Sequence, residues 1–418
     1  KNNICNRIIA LVMSMIMMTF VFTSCADHPD PEITTEAPQA NTQAPAAETT
    51  SDPRYDSKGY LKDDIPADLN YGGKTINLLV WDDVEHEEFF IAYEELGGDI
   101  VDQSIYDRNA KVESRLGVTL SFIRIKGNSE NISSWNSYVN NSVSTNAKEF
   151  DILAGYSISI AKCASSGYLY NMLDPECEYL NFEKPWWPAV MLDTATINNK
   201  LYFVTGDVST NSIHQMYVMF YNKDMLKNYA ELIEPSQHVD DGNWTMETMM
   251  AMTSGIYNDL NNNQKADKDD TFGFTSLNWH FDAIYYGCGM TMLEKDTDPA
   301  KLLKVADDWT SEKAITLSDT VGEWIKKGDA YLDSSNYANI FVNGRALLVM
   351  ARHHDIASII SKAGFKYGIV PMPKLDETQD QYYSYAHDTM TAYGIPLTVI
   401  GDELEMIGAF LEALASES

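Results

Sequence analysis

Apolar and polar residues follow the periods of strands and helices in turn along this chain. Lys74–Trp81 is a nearly continuous apolar run typical of a buried strand, and residues 101–116 repeat apolar positions with helical spacing until Gly117 ends the helix. Residues 118–125 alternate and predict a second strand, and residues 150–154 predict a third. The order strand, helix, strand, helix, strand favours a parallel sheet covered on both faces, and therefore an α/β fold.

The same periods continue in shorter elements through the rest of the chain. The predicted strands cover 201–204, 217–221, 346–350 and 367–370, and the predicted helices cover 244–257, 315–327 and 403–414. Hydrophobic residues make up 44% of the chain, which indicates a globular protein. A globular region of about 350 residues is large for one core and natural for two lobes.

The N-terminus carries the pattern of an export signal. Lys1 and Arg7 precede an uncharged apolar run over residues 8–22, which is too short to span a bilayer comfortably. The sequence Phe22-Thr23-Ser24-Cys25 resembles the lipobox of bacterial lipoproteins. That resemblance implies removal of residues 1–24 as a signal peptide and lipidation of Cys25; an ordinary signal peptide with an incidental cysteine is the alternative.

Residues 25–71 are rich in Pro, Thr, Ala, Glu, Gln and Asp and hold few large apolar groups. Such a segment cannot bury enough surface to offset its chain entropy, so we predict a disordered tether. Two acyl chains at Cys25 would hold this tether firmly in a bilayer. The predicted location is extracytoplasmic, anchored to the cell membrane by the N-terminal lipid.

The net charge excludes one class of partner, and the cysteines allow two states of the thiols. The net charge of -31 argues against nucleic acid as a partner. Behind the signal region the cysteines are Cys163, Cys177 and Cys288. A Cys163–Cys177 disulfide is one possibility in an oxidising compartment, and three free thiols are the other.

Six short motifs occur in the order found in one known family. They are Phe150-Asp-Ile-Leu-Ala with Gly167-Tyr-Leu, Asn199-Lys-Leu-Tyr-Phe-Val-Thr-Gly206, Phe220-Tyr-Asn-Lys-Asp-Met-Leu226, Asn243-Trp-Thr-Met-Glu247, Phe341-Val-Asn-Gly-Arg-Ala-Leu347 and Gly368-Ile-Val-Pro-Met-Pro-Lys374. Together they resemble the extracellular solute-binding proteins of ABC importers, in the sugar-binding group related to maltose-binding protein.

The resemblance implies a type II periplasmic-binding-protein fold, in which two α/β lobes enclose a ligand cleft. Motif alignment assigns 72–207 plus 351–396 to the first lobe and 208–350 plus 397–418 to the second. It places crossings between the lobes near Gly206, Met350 and Pro396. Family members continue for several helices beyond the counterpart of 403–414, so the second lobe is expected to be incomplete in the printed sequence.

The resemblance also implies a function without catalysis. A monomeric substrate-binding subunit would capture a sugar or oligosaccharide by lobe closure and deliver it to the permease subunits. We expect ligand contacts where strands end or lobes cross, from aromatic faces and hydrogen-bonding polar groups. The candidates are Trp81, Asp82, Tyr156, Ser157, Asp207, Trp279, His280, Arg352, His353 and Asp388, with core packing or a polar loop as the alternative for each.

A calcium loop is predicted within the second lobe. Oxygen-bearing side chains occupy positions 1, 3, 5, 9 and 12 of a twelve-residue segment, with a backbone carbonyl at position 7. The predicted Ca²⁺ ligands are Asp259, Asn261, Asn263, Lys265, Asp267 and Asp270. Gln264 stands where the turn glycine is usual, and a solvated acidic loop is the alternative.

Two other functions remain open at the sequence level. A surface-anchored carbohydrate-active hydrolase would need two carboxylates across a bond, and sequence neighbours do not make such a pair. We find no Gly-x-Ser-x-Gly, His-Glu-x-x-His or phosphate-loop motif. A cell-surface adhesion module is the third possibility.

Overall fold

The computed structural model describes residues 52–56, 59–93, 96–298 and 303–418. The predicted signal peptide, Cys25 and most of the predicted tether lie outside these residues. Asp56–Ser418 forms one compact unit. Within its described residues, a four-stranded and a five-stranded sheet each carry their own apolar core, and we call these parts the first and second lobes.

The strands account for the two sheets and one small hairpin. In chain order they are β1 Lys74–Trp81, β2 Val118–Ile125, β3 Ile152–Tyr156, β4 Tyr217–Asn222, β5 Phe272–Ser276, β6 Leu293–Lys295, β7 Leu303–Val305, β8 Ala330–Leu332, β9 Ala346–Arg352, β10 Tyr367–Val370 and β11 Thr391–Gly394. The first sheet has the order β11-β3-β1-β2, and β1 runs parallel to both of its neighbours. The second has the order β10-β4-β9-β5-β8.

The helices cover the faces of the two sheets. In chain order they are α1 Ile100–Leu116, α2 Ile132–Thr145, α3 Ser157–Ser165, α4 Ala189–Ala195, α5 Thr210–His214, α6 Lys223–Leu226, α7 Pro235–Asp240, α8 Met246–Thr253, α9 Phe281–Gly287, α10 Glu312–Lys326, α11 Tyr337–Val342, α12 Asp355–Ser358 and α13 Asp402–Ser416. Among the described residues, none of these helices has the length and apolar character needed to span a membrane.

Local sequence explains where the first elements begin and end. The last four residues of β1 are buried because covered parallel sheets expose neither face of a central strand. Helix α1 begins where the Asp99 side chain accepts the backbone N–H groups of Val101 and Asp102. It ends at Gly117, whose φ of 60° suits glycine. A Cβ there would lie 2.4 Å from the Asn70 side chain, so a larger residue would have to displace Asn70 in addition to adopting the positive φ.

Two connections join the lobes, and they are hydrogen-bonded to each other. The outward connection runs from the first lobe through α5 to β4, and the return connection runs from β10 to β11. Met216 bridges Ala386 in antiparallel fashion, and the Tyr217 N–H donates to the Tyr385 carbonyl at 2.9 Å. The two connections therefore form a short paired segment, which we call the crossing.

The predicted division of the chain between the lobes is wrong in three places. Met350 is not a crossing, because β9 continues to Arg352 in the second sheet and β10 pairs with β4 there. The chain returns to the first lobe only at β11, so most of 351–396 belongs to the second lobe. Residues 397–418 do not join the second lobe, because α13 is buried in the core of the first.

The predicted tether is also too long at its C-terminal end. Ile65 is buried in the first core, with Leu61, Leu69 and Tyr71 packed against it. Asp63 accepts hydrogen bonds from Arg115, at 2.6 and 2.7 Å. Residues 61–71 are thus a structural part of the first lobe.

The Cys163–Cys177 disulfide is not formed. Cys163, Cys177 and Cys288 are free and buried. Cys163 lies on α3, where its thiol donates to the Asn136 side-chain oxygen, whereas Cys177 packs against Gly408 of α13. Burial raises the pKa of each of the three thiols to about 12, which makes them unreactive core residues.

Candidate functional site

The candidate site lies at the crossing, where strands of both sheets end. The carboxyl ends of β1 and β3 carry Trp81 and Tyr156, and the carboxyl end of β9 carries Arg352. The crossing itself supplies Gln215 and the segment 385–389. Open α/β sheets bind ligands beyond the carboxyl ends of their strands, so this is the expected place for a ligand.

On the first-lobe side, an aromatic pair is joined to a carboxylate. Trp81 and Tyr156 stack with their ring centroids 5.6 Å apart and an interplanar angle of 9°. The Tyr156 hydroxyl donates to Asp388 Oδ1 at 3.1 Å, and the Ser157 hydroxyl donates to the Asp388 carbonyl at 2.5 Å. His387 Nδ1 lies 3.0 Å from the same Oδ1. Asp388 thus fastens the return connection to the end of β3 through Oδ1 and its backbone carbonyl.

On the second-lobe side, three tyrosines form a continuous stack. The Tyr217 and Tyr385 rings lie 5.8 Å apart at 6°, and the Tyr385 and Tyr286 rings lie 4.7 Å apart at 9°. His280 packs edge-on against Tyr217 at 4.8 Å. Tyr217 is buried, and Tyr286 and Tyr385 are half-buried. Aromatic faces that are partly accessible are the usual platforms for the apolar faces of a ligand.

A polar bridge connects the lobes beside these aromatic groups. Arg352 donates to Gln215 Oε1 at 2.7 Å, and Gln215 in turn donates to Glu85 Oε2 at 2.7 Å. Arg352 also lies 3.4 Å from Glu85 and 3.4 Å from the Thr389 hydroxyl. A side chain from each lobe and two from the crossing therefore share one hydrogen-bond network.

The site contains groups held in defined protonation states. The hydrogen bond with His387 lowers the pKa of Asp388, although burial opposes the shift. Burial lowers the pKa of His280 to about 4, helped by the charge of Arg352, so this imidazole is neutral at physiological pH. Burial raises the pKa of Asp282, which lies on the neighbouring helix α9. The site thus offers hydrogen-bond acceptors and donors for neutral polar groups.

The structure brings some of the predicted residues together and not others. Trp81, Tyr156, Ser157, His280, Arg352 and Asp388 lie in or beside the networks just described. Trp279 is 63% exposed in a 3₁₀ turn next to His280, and the His353 ring lies 5.7 Å from that of His214 at the crossing. Asp82 points to Arg124 on β2, at 3.4 Å, and Asp207 is exposed near Trp186. Neither aspartate lies in these networks.

Several residues of the site were not predicted. They are Glu85, Gln215, Tyr217, Asp282, Tyr286, Tyr385, His387 and Thr389. The segment 382–389 holds three tyrosines, two neighbouring titratable side chains and a threonine, and its composition was the available signal. Its position at the crossing depends on the sheet order, which the local sequence pattern does not contain.

The side chains of the predicted calcium loop hydrogen-bond to the loop backbone and to one another. Asp259 accepts the N–H groups of Asn263 and Gln264 at 3.3 and 2.8 Å, and Asn263 Oδ1 accepts that of Lys265 at 2.8 Å. The φ of 62° at Gln264 gives the left-handed turn that glycine usually makes at this position. Asp267 accepts the side-chain amides of Asn261 and Asn263.

Asp270 differs from the other predicted calcium ligands. It is fully buried and accepts the N–H groups of Leu260 and Asp267 and the hydroxyl of Tyr257. In the described part of the chain, no three His, Cys, Asp or Glu side chains are arranged to hold a metal ion. A cation here would therefore depend on amide and backbone oxygens in addition to carboxylates, a donor set that suits hard cations.

Comparison with solved structures identifies the fold. UspC of M. tuberculosis is similar to this chain with a TM-score of 0.53 and 17% identity, and the match covers 82% of this chain and 78% of UspC. A cyclo/maltodextrin-binding protein complexed with maltotetraose has a TM-score of 0.52 at 14% identity, over 82% of this chain and 77% of its own. The maltose-bound MalE of Listeria monocytogenes has a TM-score of 0.51 at 13% identity, over 81% of this chain and 74% of its own. These likenesses confirm the predicted α/β solute-binding fold.

Sequence comparison identifies the family. A search of curated proteins gave no significant match. The family model of bacterial extracellular solute-binding proteins matches residues 125–399. This range includes the crossing, every strand of the second sheet, and β3 and β11 of the first, and it is more than half of the 418 residues. The family binds solutes outside the cytoplasm and is not a family of enzymes, which sets aside the hydrolase hypothesis. The chain belongs to the bacterial extracellular solute-binding proteins.

Proposed function

We propose that this protein is the substrate-binding subunit of an ABC importer and captures a sugar or oligosaccharide between its lobes. The observation that carries the proposal is the pairing of aromatic platforms with hydrogen-bonding groups at the crossing. Trp81 and Tyr156 lie at the crossing on the first-lobe side, and the tyrosine stack lies there on the second-lobe side. Sugars present apolar ring faces and a rim of hydroxyls, which such a combination matches.

The relatives in structure support the same solute class. Two of the similar structures are described as complexes with maltotetraose and with maltose. In the proposed mechanism, the solute contacts groups from both lobes and thereby favours the closed arrangement over the open one. The closed protein then docks on the permease as a monomer. Lipidation of Cys25 would hold it at the outer face of the cell membrane.

Replacing Asp388 with asparagine tests the sugar site. We expect Asp388→Asn to weaken binding of the tightest ligand among maltose, maltotriose and maltotetraose by about ten-fold, because a hydrogen bond to a charged group is lost. Isothermal titration calorimetry measures the affinity, and tryptophan fluorescence reports lobe closure. Asp319→Asn, on the exposed face of α10, is the matched control and is expected to bind like the wild type.

Two outcomes would contradict this proposal in different ways. Absence of heat with every sugar would reject the sugar assignment and leave the solute-binding family membership standing. Breakdown of a bound oligosaccharide by the purified protein would instead indicate the hydrolase hypothesis. Chromatography of the sugar after incubation distinguishes turnover from binding.

We also propose that the loop 259–270 binds Ca²⁺ and stabilises the second lobe. We expect 1 mM CaCl₂ to raise the thermal midpoint by several degrees relative to EDTA, because a ligand that binds only the folded state stabilises it. Asp267→Asn should remove most of this increase. Asp269→Asn is the matched control, since Asp269 faces Lys268 and Arg345 and is outside the predicted ligand set. An equal increase in both variants, or none in the wild type, would contradict the calcium site.

A further inference from the structure

Four histidines from three separate segments meet at the crossing. His86 comes from the loop after β1 in the first lobe, His214 ends α5 in the outward connection, and His353 and His354 follow β9 in the second lobe. The His86 and His214 rings stack 4.0 Å apart at 19°. His86 Nε2 lies 2.7 Å from His354 Nδ1, and the His353 ring lies 5.7 Å from that of His214. We call these four side chains the histidine cluster.

The histidine cluster joins the lobes directly. The hydrogen bond between His86 and His354 runs from the first lobe to the second. Backbone hydrogen bonds fix the other members, because the His354 N–H donates to the His214 carbonyl at 2.7 Å and the His353 N–H donates to the Met216 carbonyl at 2.8 Å. Asn211 Nδ2 donates to the His86 carbonyl at 2.8 Å. Rotation of one lobe against the other would therefore separate His86 from His354.

The histidine cluster is arranged for neutral imidazoles. Only one proton can lie between His86 Nε2 and His354 Nδ1, so at least one of these nitrogens must be an acceptor. Nδ1 of His214 and Nδ1 of His353 are buried with no hydrogen-bond partner among the described residues. Protonation would place a positive charge on a stacked pair and an N–H donor at a position without an acceptor. Both changes disfavour this arrangement.

The surrounding charges offset protonation of the imidazoles only in part, because Glu85 favours it and the net shift of the His86 and His214 pKa values is still downward. Glu85 is the carboxylate beside the histidine cluster, 3.7 Å from His354, and it is already shared with Arg352 and Gln215. Arg352 adds a further positive charge. On α12, Asp355 accepts the Arg352 N–H and the Tyr337 hydroxyl, and on the return connection Asp388 is paired with His387.

We propose that the histidine cluster is an acid-sensitive latch, which holds the lobes in the present arrangement at neutral pH and releases them when its imidazoles are protonated. A contact between the lobes away from the crossing, the 2.6 Å ion pair of Asp193 on α4 with Lys295 on β6, indicates that this is the arrangement with the lobes together. The consequence of the latch for solute release rests on the proposed function. Acidification would then lower the affinity for the solute.

The direction of the pH dependence follows from burial. Burial and the neighbouring imidazoles lower the pKa of His86, and they lower that of His214 to about 4. Burial also lowers the pKa of His353. Separated, solvated imidazoles titrate near 6.5, so protons bind more tightly to the open arrangement. The latch is therefore intact above about pH 6.5 and weakens as the pH falls toward 4.

Small-angle scattering of the protein without solute tests the latch. We expect the radius of gyration of the wild type to rise as the pH falls from 7.5 to 5.0, and we expect His86→Gln/His354→Gln to lose this response. The matched control is His238→Gln on α7, which lies outside the histidine cluster and should respond like the wild type. Because no solute is present, this result does not depend on the sugar proposal. For a sugar that binds, the affinity should fall about ten-fold over the same range.

Three results of the scattering experiment would overturn the latch. They are a wild-type radius that does not change with pH, an equal change in the double variant, and an opening by EDTA at pH 7.5, which would indicate a metal site instead. NMR of labelled histidines measures their pKa values in the wild-type protein, so this test does not depend on whether a variant folds. His86 and His214 titrating well below 6.5 supports the latch, and titration of both near 6.5 rejects it.

Discussion

Replacing Glu88 with alanine is expected to lower the free energy of unfolding by about 3–5 kcal/mol, the cost of breaking a buried, hydrogen-bonded charge network. Glu88 is fully buried in the first lobe, next to both connections of the crossing. Its carboxylate accepts the Ser209 hydroxyl at 2.9 Å and the Asn211 N–H at 3.0 Å on the outward side. On the return side it accepts the hydroxyl of Thr391 at the start of β11.

The same network reaches the candidate site. The Trp81 indole N–H donates to the Thr391 hydroxyl at 2.9 Å, and Trp81 stacks on Tyr156. Arg108 is buried beside Glu88 and donates to its backbone carbonyl at 2.8 Å. Burial raises the pKa of Glu88 and lowers that of Arg108, so each side chain depends on its neighbours for compensation. Removing the carboxylate leaves several buried donors unpaired at once.

Urea unfolding monitored by circular dichroism measures the effect of Glu88→Ala. Glu88→Gln keeps one acceptor oxygen and is expected to recover part of the loss. Glu323→Ala on α10 is the surface control, with an expected change below about 0.5 kcal/mol because its ion pair with Lys326 is solvent-exposed. A loss from Glu88→Ala no larger than that of the control would show that Glu88 does not hold the crossing.

The strands and helices could be predicted where a local pattern determines them. The predicted bounds of β1 and β2 match the structure, because buried and alternating apolar runs are strong signals. The predicted strand over 201–204 is instead an extended segment whose one bridge joins Val204 to Tyr393 of β11, and a single bridged pair does not make a ladder. Pairing is a tertiary property that a four-residue apolar run does not specify.

The assignment of segments to lobes could not be predicted from local patterns. Helix α13 is buried on nearly every side, and its apolar sequence predicts burial without indicating which core receives it. Likewise, β10 pairs antiparallel with β4, a partner about 150 residues away in the chain. The motif alignment placed both elements in the wrong lobe.

The candidate site was predicted to the extent that strand ends define it. Trp81, Tyr156 and Arg352 end strands, and the rule for open α/β sheets identified them. Asp82 also follows a strand, but it turns toward Arg124 on the adjacent strand and away from the crossing. The histidine cluster combines residues that are more than 250 positions apart in the chain, so no sequence spacing could have indicated it.

Replacing Glu412 with glutamine is expected to stabilise the protein at alkaline pH. Glu412 lies on α13, is 0% exposed and accepts the Trp187 indole N–H at 2.8 Å and the Asn181 N–H at 3.2 Å through Oε2. Its Oε1 has no hydrogen-bond partner among the described residues. Burial raises the pKa of Glu412 to about 7, with a further contribution from the charge of Asp63. The folded protein therefore favours the protonated acid.

The pH dependence follows from the two protonation states. In the unfolded chain Glu412 titrates near its ordinary value of 4.5, so below that pH both states carry the proton and no penalty arises. As the pH rises from 4.5 through 7, the unfolded state releases the proton first, and the folded state loses stability. Since each pKa unit between the two states is worth about 1.4 kcal/mol, the penalty in wild type approaches about 3 kcal/mol at pH 8.

Glutamine keeps one acceptor for Trp187 and Asn181 and carries no charge, so Glu412→Gln should be close to wild type at pH 4.5 and more stable by up to about 3 kcal/mol at pH 8. Urea unfolding at the two pH values measures the free energy of unfolding of the variant minus that of the wild type. The titration of all other groups cancels in this subtraction, because both proteins contain them. Glu403→Gln on the same helix is the control, because its side chain is 44% exposed and pairs with Lys148 at the surface. A Glu412→Gln variant whose stability relative to wild type is the same at both pH values would show that folding does not raise the pKa of the Glu412 carboxyl.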